Sequence, residues 1–117
     1  MLCNLNPGGP FGGSATQYFV GSFNGKEFVN ESPSKTKWMD WGKDHYATVT
    51  WSDAPDNRHI AIAWMSNWQY ANDVPTSQYR SPNSFPRYLS LFTERTVAEA
   101  AKQYPFLFIC SFYREFE

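Results

Sequence analysis

Apolar and polar positions alternate in short runs along most of the first 92 residues. Residues 46–51 alternate and are rich in β-branched side chains, and residues 60–63 (IAIA) form an apolar run after the polar segment 52–58. Such runs, bounded by turn-forming residues, are typical of β-strands in hairpins. We therefore predict strands at residues 15–23, 26–29, 46–51, 59–64 and 85–92, with turns at Asn24-Gly25 and at residues 52–58.

Two segments outside these strands have no regular pattern of apolar and polar residues. Residues 7–13 (PGGPFGG) contain four glycines and two prolines, which exclude helix and strand. Residues 67–82 form the second, longer irregular stretch. Both are predicted to be loops.

The pattern changes after residue 92. Residues 96–103 (TVAEAAKQ) predict a helix, with Thr96 as N-cap and Glu99 three positions later. A proline and the apolar run 106–112 follow. We therefore divide the chain into an all-β region, residues 1–92, and a divergent, partly helical tail, residues 93–117.

Charge and composition exclude several classes of function. The chain has 10 Lys and Arg against 11 Asp and Glu, so it lacks the basic surface of a nucleic-acid-binding protein. Its apolar runs are too short to span a membrane. The cysteines and histidines are isolated from one another, so neither a metal nor another cofactor is expected. No targeting signal is visible, which leaves the compartment open.

An aromatic and amide-rich segment, residues 64–71 (WMSNWQYA), follows the apolar run 60–63. Flat aromatic faces combined with amide groups suit a neutral, hydroxyl-rich ligand such as a sugar. Trp64 continues the alternation of the strand and fits a core position equally well. Asn67, Trp68 and Tyr70 lie beyond the strand end, where ligand-binding residues are common.

A charged segment, residues 40–44 (DWGKD), precedes the strand at residues 46–51. Asp40 and Asp44 flank a glycine and Lys43. Two carboxylates are the acid and base of many glycosidases, so these two are candidates for such a pair. An Asp-x-Gly sequence is also ordinary turn chemistry, and both interpretations remain open.

With these segments in view, the chain resembles glycoside hydrolase family 32, which contains invertases, levanases and inulinases. The resemblance implies an all-β fold, about two blades of a five-bladed β-propeller. It also implies retaining hydrolysis of β-fructosidic bonds in sucrose, levan or inulin. Four blocks carry the match: residues 5–23 (LNPGGPFGGSATQYFVGSF), 38–47 (WMDWGKDHYA), 49–55 (VTWSDAP) and 64–87 (WMSNWQYANDVPTSQYRSPNSFPR).

The three catalytic segments of that family are absent from this sequence. They are Asn-Asp-Pro-Asn with the nucleophile, Arg-Asp-Pro with the transition-state stabiliser, and Glu-Cys with the acid/base, all expected upstream of Met1. No catalytic residue is therefore assigned. The resemblance implies substrate binding by six residues in the two segments described above: Asp40, Lys43, Asp44, Trp64, Asn67 and Trp68.

These observations predict a truncated β-fructofuranosidase that binds a fructose-containing saccharide and is inactive by itself. Blades without neighbours have unpaired strand edges, which favour self-association. Two alternatives stay open. One is a non-catalytic sugar-binding module, and the other is a free-standing β-domain with an interaction role.

Overall fold

A computed structural model describes residues 1–93 and 110–114 of the chain, and the prediction of an all-β fold is confirmed for these residues. They form strands and one short 3-10 helix, Pro55–Asn57, with no α-helix. The predicted helix at residues 96–103 lies outside this part. The strands are β1 (Leu2–Leu5), β2 (Ala15–Tyr18), β3 (Gly21–Phe23), β4 (Phe28–Asn30), β5 (Tyr46–Thr50), β6 (Ile60–Trp64), β7 (Arg87–Thr93) and β8 (Cys110–Arg114).

The strands form two two-stranded sheets, β1-β2 and β3-β4, and one sheet in the order β5-β6-β7-β8. The chain divides into two compact units. Unit 1 comprises Met1–Val49 and Ile62–Phe85, and unit 2 comprises Thr50–Ala61 and Pro86–Glu117. In the described part of the chain, no helix has the length and apolar character needed to cross a membrane.

Unit 1 has a small core beneath β2. Ala15 and Tyr18 of this strand are buried, and Met39 is 2% exposed. Strand β1 pairs with β2 in antiparallel register, with Leu2 opposite Tyr18. Gln17 forms an isolated bridge with Trp38, so the segment that leads to Asp40 is fixed beside β2.

A partly buried polar network joins β1, β2 and β5 within unit 1, with Thr16 and Thr48 buried and Asn4 at the surface. The Thr16 hydroxyl is 2.7 Å from Asn4 Oδ1 and 2.8 Å from the Thr48 hydroxyl. Asn4 Oδ1 also accepts from the Thr48 amide at 2.9 Å. Buried polar atoms must be paired to avoid a desolvation penalty, so these three side chains fix the start of β5 relative to β1 and β2.

The predicted strand at residues 15–23 is divided into β2 and β3, because the chain passes there from one sheet to the next. The hairpin that follows has four loop residues rather than the two predicted at Asn24-Gly25, since Phe23 pairs with Phe28. Asn24 Oδ1 accepts from the amides of Lys26 and Glu27. These bonds add to the backbone bond from the Asn24 amide to Glu27 O at 3.1 Å and close the loop.

Unit 2 contains the rest of β6, together with β7 and β8. Strands β6 and β7 are antiparallel, with Ile60 opposite Tyr88, and β7 and β8 are parallel. Strand β7 begins at Arg87, two residues later than the predicted start at residue 85. Pro86 directly precedes it, and proline has no amide hydrogen to donate to a ladder.

Candidate functional site

Asp40 closes a tight turn at the start of the charged segment. Its Oδ1 accepts from the Gly42 amide at 2.6 Å. A Cβ at position 42 would lie 2.8 Å from that same oxygen, so a larger residue there would displace the carboxylate. The turn interpretation of Asp-x-Gly therefore describes the local geometry, and it leaves the Trp41 indole 92% exposed.

The aromatic segment turns immediately after β6. Asn67 O accepts from the amides of Tyr70 and Ala71 at 3.1 and 2.9 Å. Asn67 Oδ1 accepts from the Gln69 amide at 3.0 Å, which stabilises the first residues of the turn. Residues 67–71 thus form one hydrogen-bonded turn whose position depends on Asn67.

The Asn67 side chain is fully buried, at 0% exposure, and connects three segments of unit 1. Its Nδ2 donates to the carbonyls of Gly12, Ser14 and Lys43 at 3.3, 3.1 and 3.1 Å. Its Oδ1 accepts from the Ser14 amide at 3.3 Å. The amide group of Asn67 is therefore used within the protein, and it holds the aromatic segment against the charged segment.

The glycine-rich loop at residues 7–13 gives the space that this arrangement needs. Gly13 has φ +68°, and a Cβ there would lie 1.9 Å from Asn67 Oδ1. Gly12 has φ +82°, and its Cβ would lie 2.3 Å from Gln69 Nε2. Positive φ and close approach both require glycine, so the loop is shaped to receive Asn67 and Gln69.

Two indoles form an aromatic step in unit 1. The ring centroids of Trp64 and Trp68 are 5.1 Å apart with the planes tilted by 55°. The Tyr46 ring contacts Trp64 edge-on, with 6.1 Å between the two ring centroids. Trp64 is half-buried and Trp68 is 50% exposed, so Trp68 presents its ring to solvent while Trp64 supports it.

Lys43, Asp44 and Tyr70 form a polar cluster in unit 1. The Tyr70 hydroxyl donates to Asp44 Oδ1. Lys43 Nζ lies 5.8 Å from the centroid of the Tyr70 ring. Desolvation, followed by the hydrogen bond and the charge of Asp44, raises the pKa of Tyr70 to about 12.

The structure links the predicted residues in two groups. Asn67 contacts Lys43 directly and Asp44 through Tyr70, whereas Trp64 and Trp68 contact each other, and Trp68 follows Asn67 in the chain. Asp40 begins the loop that contains Lys43 and Asp44. The sequence did not assign Tyr70 to the site, although its place beyond the strand end was a usable signal. Ser14 was missed altogether: its hydroxyl accepts from the Trp68 amide at 3.2 Å, across 54 positions of sequence.

Residues 1–105 match the family model of the glycosyl hydrolases family 32 N-terminal domain. The chain therefore belongs to glycosyl hydrolase family 32. The prediction of family membership is confirmed, as is that of an all-β fold from the propeller domain. The match continues past residue 92, so the boundary placed there between a β-region and a divergent tail stays a prediction.

Related proteins are named levanase, exo-inulinase and invertase. The chain is 54% identical over 99 residues to the levanase of Bacillus subtilis, which covers 80% of this chain and 15% of that protein. It is 43% identical over 111 residues to the extracellular exo-inulinase of Aspergillus awamori, covering 88% of this chain and 21% of that protein. The chain thus spans about a fifth or less of the length of these relatives.

Solved structures show the same relationship. The fructofuranosidase of Schwanniomyces occidentalis complexed with fructose superimposes with a TM-score of 0.69 at 48% identity, covering 75% of this chain and 17% of that one. The exo-inulinase of Aspergillus awamori gives a TM-score of 0.67 at 44% identity, covering 74% of this chain and 18% of that one.

Proposed function

We propose that this chain forms one wall of the fructose-binding pocket of a family 32 β-fructofuranosidase. The observation that supports this most directly is the position of Asn67, which fixes the aromatic segment to the charged segment at Lys43. Together the two segments present an exposed indole, two carboxylates and an ammonium group within unit 1. A related structure contains fructose, which has the flat apolar ring face and the hydroxyl groups that such a wall would contact.

Each of the six residues has a chemical role in this proposal. Asp40 and Asp44 accept hydrogen bonds from sugar hydroxyls, and Lys43 donates one. Trp68 packs against the apolar face of the sugar ring, and Trp64 supports Trp68 from behind. Asn67 acts through the segments that it holds, since its own amide is already occupied.

We further propose that the chain by itself does not cleave its ligand. Retaining hydrolysis needs a carboxylate nucleophile and an acid/base about 5 Å from it. The sequence segments that supply both in this family do not occur in the 117 residues. Binding energy from the wall lowers the barrier only when those groups are also in place.

The test combines catalysis and binding on the purified 117-residue chain. Incubation with sucrose, levan or inulin should release no reducing sugar above the buffer rate. Titration with fructose should quench Trp fluorescence with a millimolar dissociation constant, about −4 kcal/mol, because only part of a pocket is present. Turnover of sucrose at ordinary enzyme rates would contradict the proposal.

A matched pair of variants locates the binding surface. Trp68→Ala removes an indole that is 50% exposed, and Trp51→Ala removes one that is 48% exposed in unit 2. We expect the Trp68→Ala chain to lose fructose binding and the Trp51→Ala chain to retain it. Equal affinities for fructose in the two variants would place the ligand elsewhere.

The second candidate function is a non-catalytic sugar-binding module. It is favoured by the fact that all six predicted residues lie in unit 1. Self-association through strand edges that lack the neighbouring blades is part of this proposal. Light scattering on the chain with and without fructose separates a monomeric binder from an associating one.

A further inference from the structure

We propose that Tyr70 is a positioning residue, which holds the Asp44 carboxylate and the Lys43 ammonium in the orientation that a sugar hydroxyl requires. This inference rests on the proposed function and adds to it a residue that the sequence did not assign. It also specifies the contact with the sugar, in which one sugar hydroxyl donates to Asp44 and accepts from Lys43.

The geometry around Asp44 supports this role. The Tyr70 hydroxyl donates to Asp44 Oδ1. An ionised carboxylate has two oxygens with about four acceptor sites, so one bond fixes its rotamer and leaves acceptor sites free. Tyr70 is itself fixed, because its amide donates to Asn67 O at 3.1 Å and its carbonyl accepts from Asp73 N at 2.9 Å.

The same phenol ring orders Lys43. The ammonium lies 5.8 Å from the ring centroid, within the range of a cation–π contact. Lys43 is also fixed at its backbone, since its carbonyl accepts from Asn67 Nδ2 at 3.1 Å. Tyr70 therefore orders both the acceptor, Asp44, and the donor, Lys43, which are adjacent in sequence.

A purely structural role for Tyr70 is the competing explanation, in which the phenol only ties two segments together. The bond between Asn67 Nδ2 and Lys43 O already makes that connection and does not involve the Tyr70 hydroxyl. Removing the hydroxyl should therefore leave the segments joined and release only the carboxylate. The raised pKa of Tyr70, about 12, keeps its hydroxyl protonated, and so able to donate, at neutral and mildly alkaline pH.

A double-mutant cycle in the 117-residue chain tests the proposal, with fructose affinity as the readout. We expect Tyr70→Phe to weaken binding about fivefold and Asp44→Asn about tenfold. If Tyr70 acts through Asp44, the double variant binds no more than about twofold more weakly than Asp44→Asn alone. Fully additive losses would overturn the positioning role, because a residue that acts through the Asp44 carboxylate has no further effect once that carboxylate is replaced.

Two further variants sharpen the result. Tyr79→Phe removes the same hydroxyl from a tyrosine that is 70% exposed and should leave fructose affinity unchanged. Tyr70→Leu removes the ring as well as the hydroxyl, so it should weaken binding more than Tyr70→Phe by freeing Lys43. Equal affinities for Tyr70→Phe and the unmodified chain would overturn the inference and leave the proposed function standing.

A measurement on the unmodified chain covers the case in which Tyr70→Phe does not fold. Tyrosine ionisation is followed by absorbance with and without fructose. Because linkage is reciprocal, a sugar that needs the Tyr70–Asp44 bond must raise the pH at which Tyr70 ionises. An unchanged ionisation curve in a chain that binds fructose overturns the inference alone, whereas a folded chain that binds no fructose overturns the proposed function and the inference together.

Discussion

Two turns of this chain are stabilised in opposite ways. The turn at residues 67–71 depends on one buried side chain whose hydrogen bonds reach residues 24 to 55 positions away. The turn at residues 52–58 depends on local geometry. There Asp53, Asp56 and Asn57 adopt positive φ, and Arg58 donates to Pro55 O, three residues earlier.

The difference bears on where a ligand site can form. A turn that is closed by its own backbone keeps its shape but fixes no distant residue. The Asn67 turn fixes the distance between groups from three separate segments, which is what a binding site requires. We therefore expect substitutions at the Asn67 turn to affect stability and binding together, and those at the other turn to affect neither strongly.

The largest effect is expected for Asn67→Ala. The substitution leaves three carbonyls and two amides without the partner that Asn67 gives them. At about 1–3 kcal/mol for each unpaired buried group, the five groups would cost at least about 5 kcal/mol; relaxation of the loop recovers part of this, so we expect a loss of about 4 kcal/mol in the free energy of unfolding. Urea denaturation followed by Trp fluorescence measures it.

Asn72→Ala is the matched control for this prediction. Asn72 is an exposed asparagine just beyond the same turn, and its replacement should change the free energy of unfolding by less than about 0.5 kcal/mol. Similar losses in the two variants would mean that the hydrogen bonds of the Asn67 side chain do not contribute to the free energy of unfolding.

The second largest effect is expected for Gly13→Ala. A Cβ at this position meets Asn67 Oδ1 at 1.9 Å, and φ of +68° is itself unfavourable for alanine. The steric and conformational costs together should lower the free energy of unfolding by about 3 kcal/mol. Fructose affinity should fall in parallel, because Asn67 must move.

Gly25→Ala separates the two costs. Gly25 also has positive φ, +93°, but nothing lies within 4 Å of the Cβ that alanine would add. Its replacement should cost only the conformational part, about 1 kcal/mol. If both glycine variants lose the same stability, the close approach to Asn67 is not the reason for glycine at position 13.

These contrasts also mark what could be predicted from the sequence. Strands such as β5 and β6 follow from local alternation, which is visible in any short window. The contact of Ser14 with Asn67 spans 53 positions and leaves no periodic trace. Asn67 is predicted from the sequence to bind substrate. Its side-chain amide can hydrogen-bond to a sugar hydroxyl and to a backbone carbonyl equally well. Only the fold shows that it faces the backbone.

A smaller effect, specific to alkaline solution, is expected at Tyr70. Its pKa is raised from 10.0 to about 12 in the folded chain, so the folded state keeps a proton that the unfolded state loses. The resulting stabilisation is complete below pH 10 and disappears as the pH rises from about 10 to about 12. The urea midpoint of the unmodified chain should therefore fall more steeply over this interval than that of Tyr70→Phe. Parallel curves would show that neither burial nor the Asp44 contact raises the pKa of Tyr70 in the folded chain.

The smallest effect is expected in the other turn, for Asn57→Gly. Asn57 has φ of 53°, which glycine adopts without strain and asparagine tolerates better than most residues. The relief of strain is offset by the greater freedom of glycine in the unfolded chain, so the free energy of unfolding should change by less than about 0.5 kcal/mol. Fructose affinity should also stay constant, since the hydrogen bonds described for this turn are local. A loss as large as that of Gly13→Ala would mean that the 52–58 turn also fixes distant residues, and the distinction between the two turns would fail.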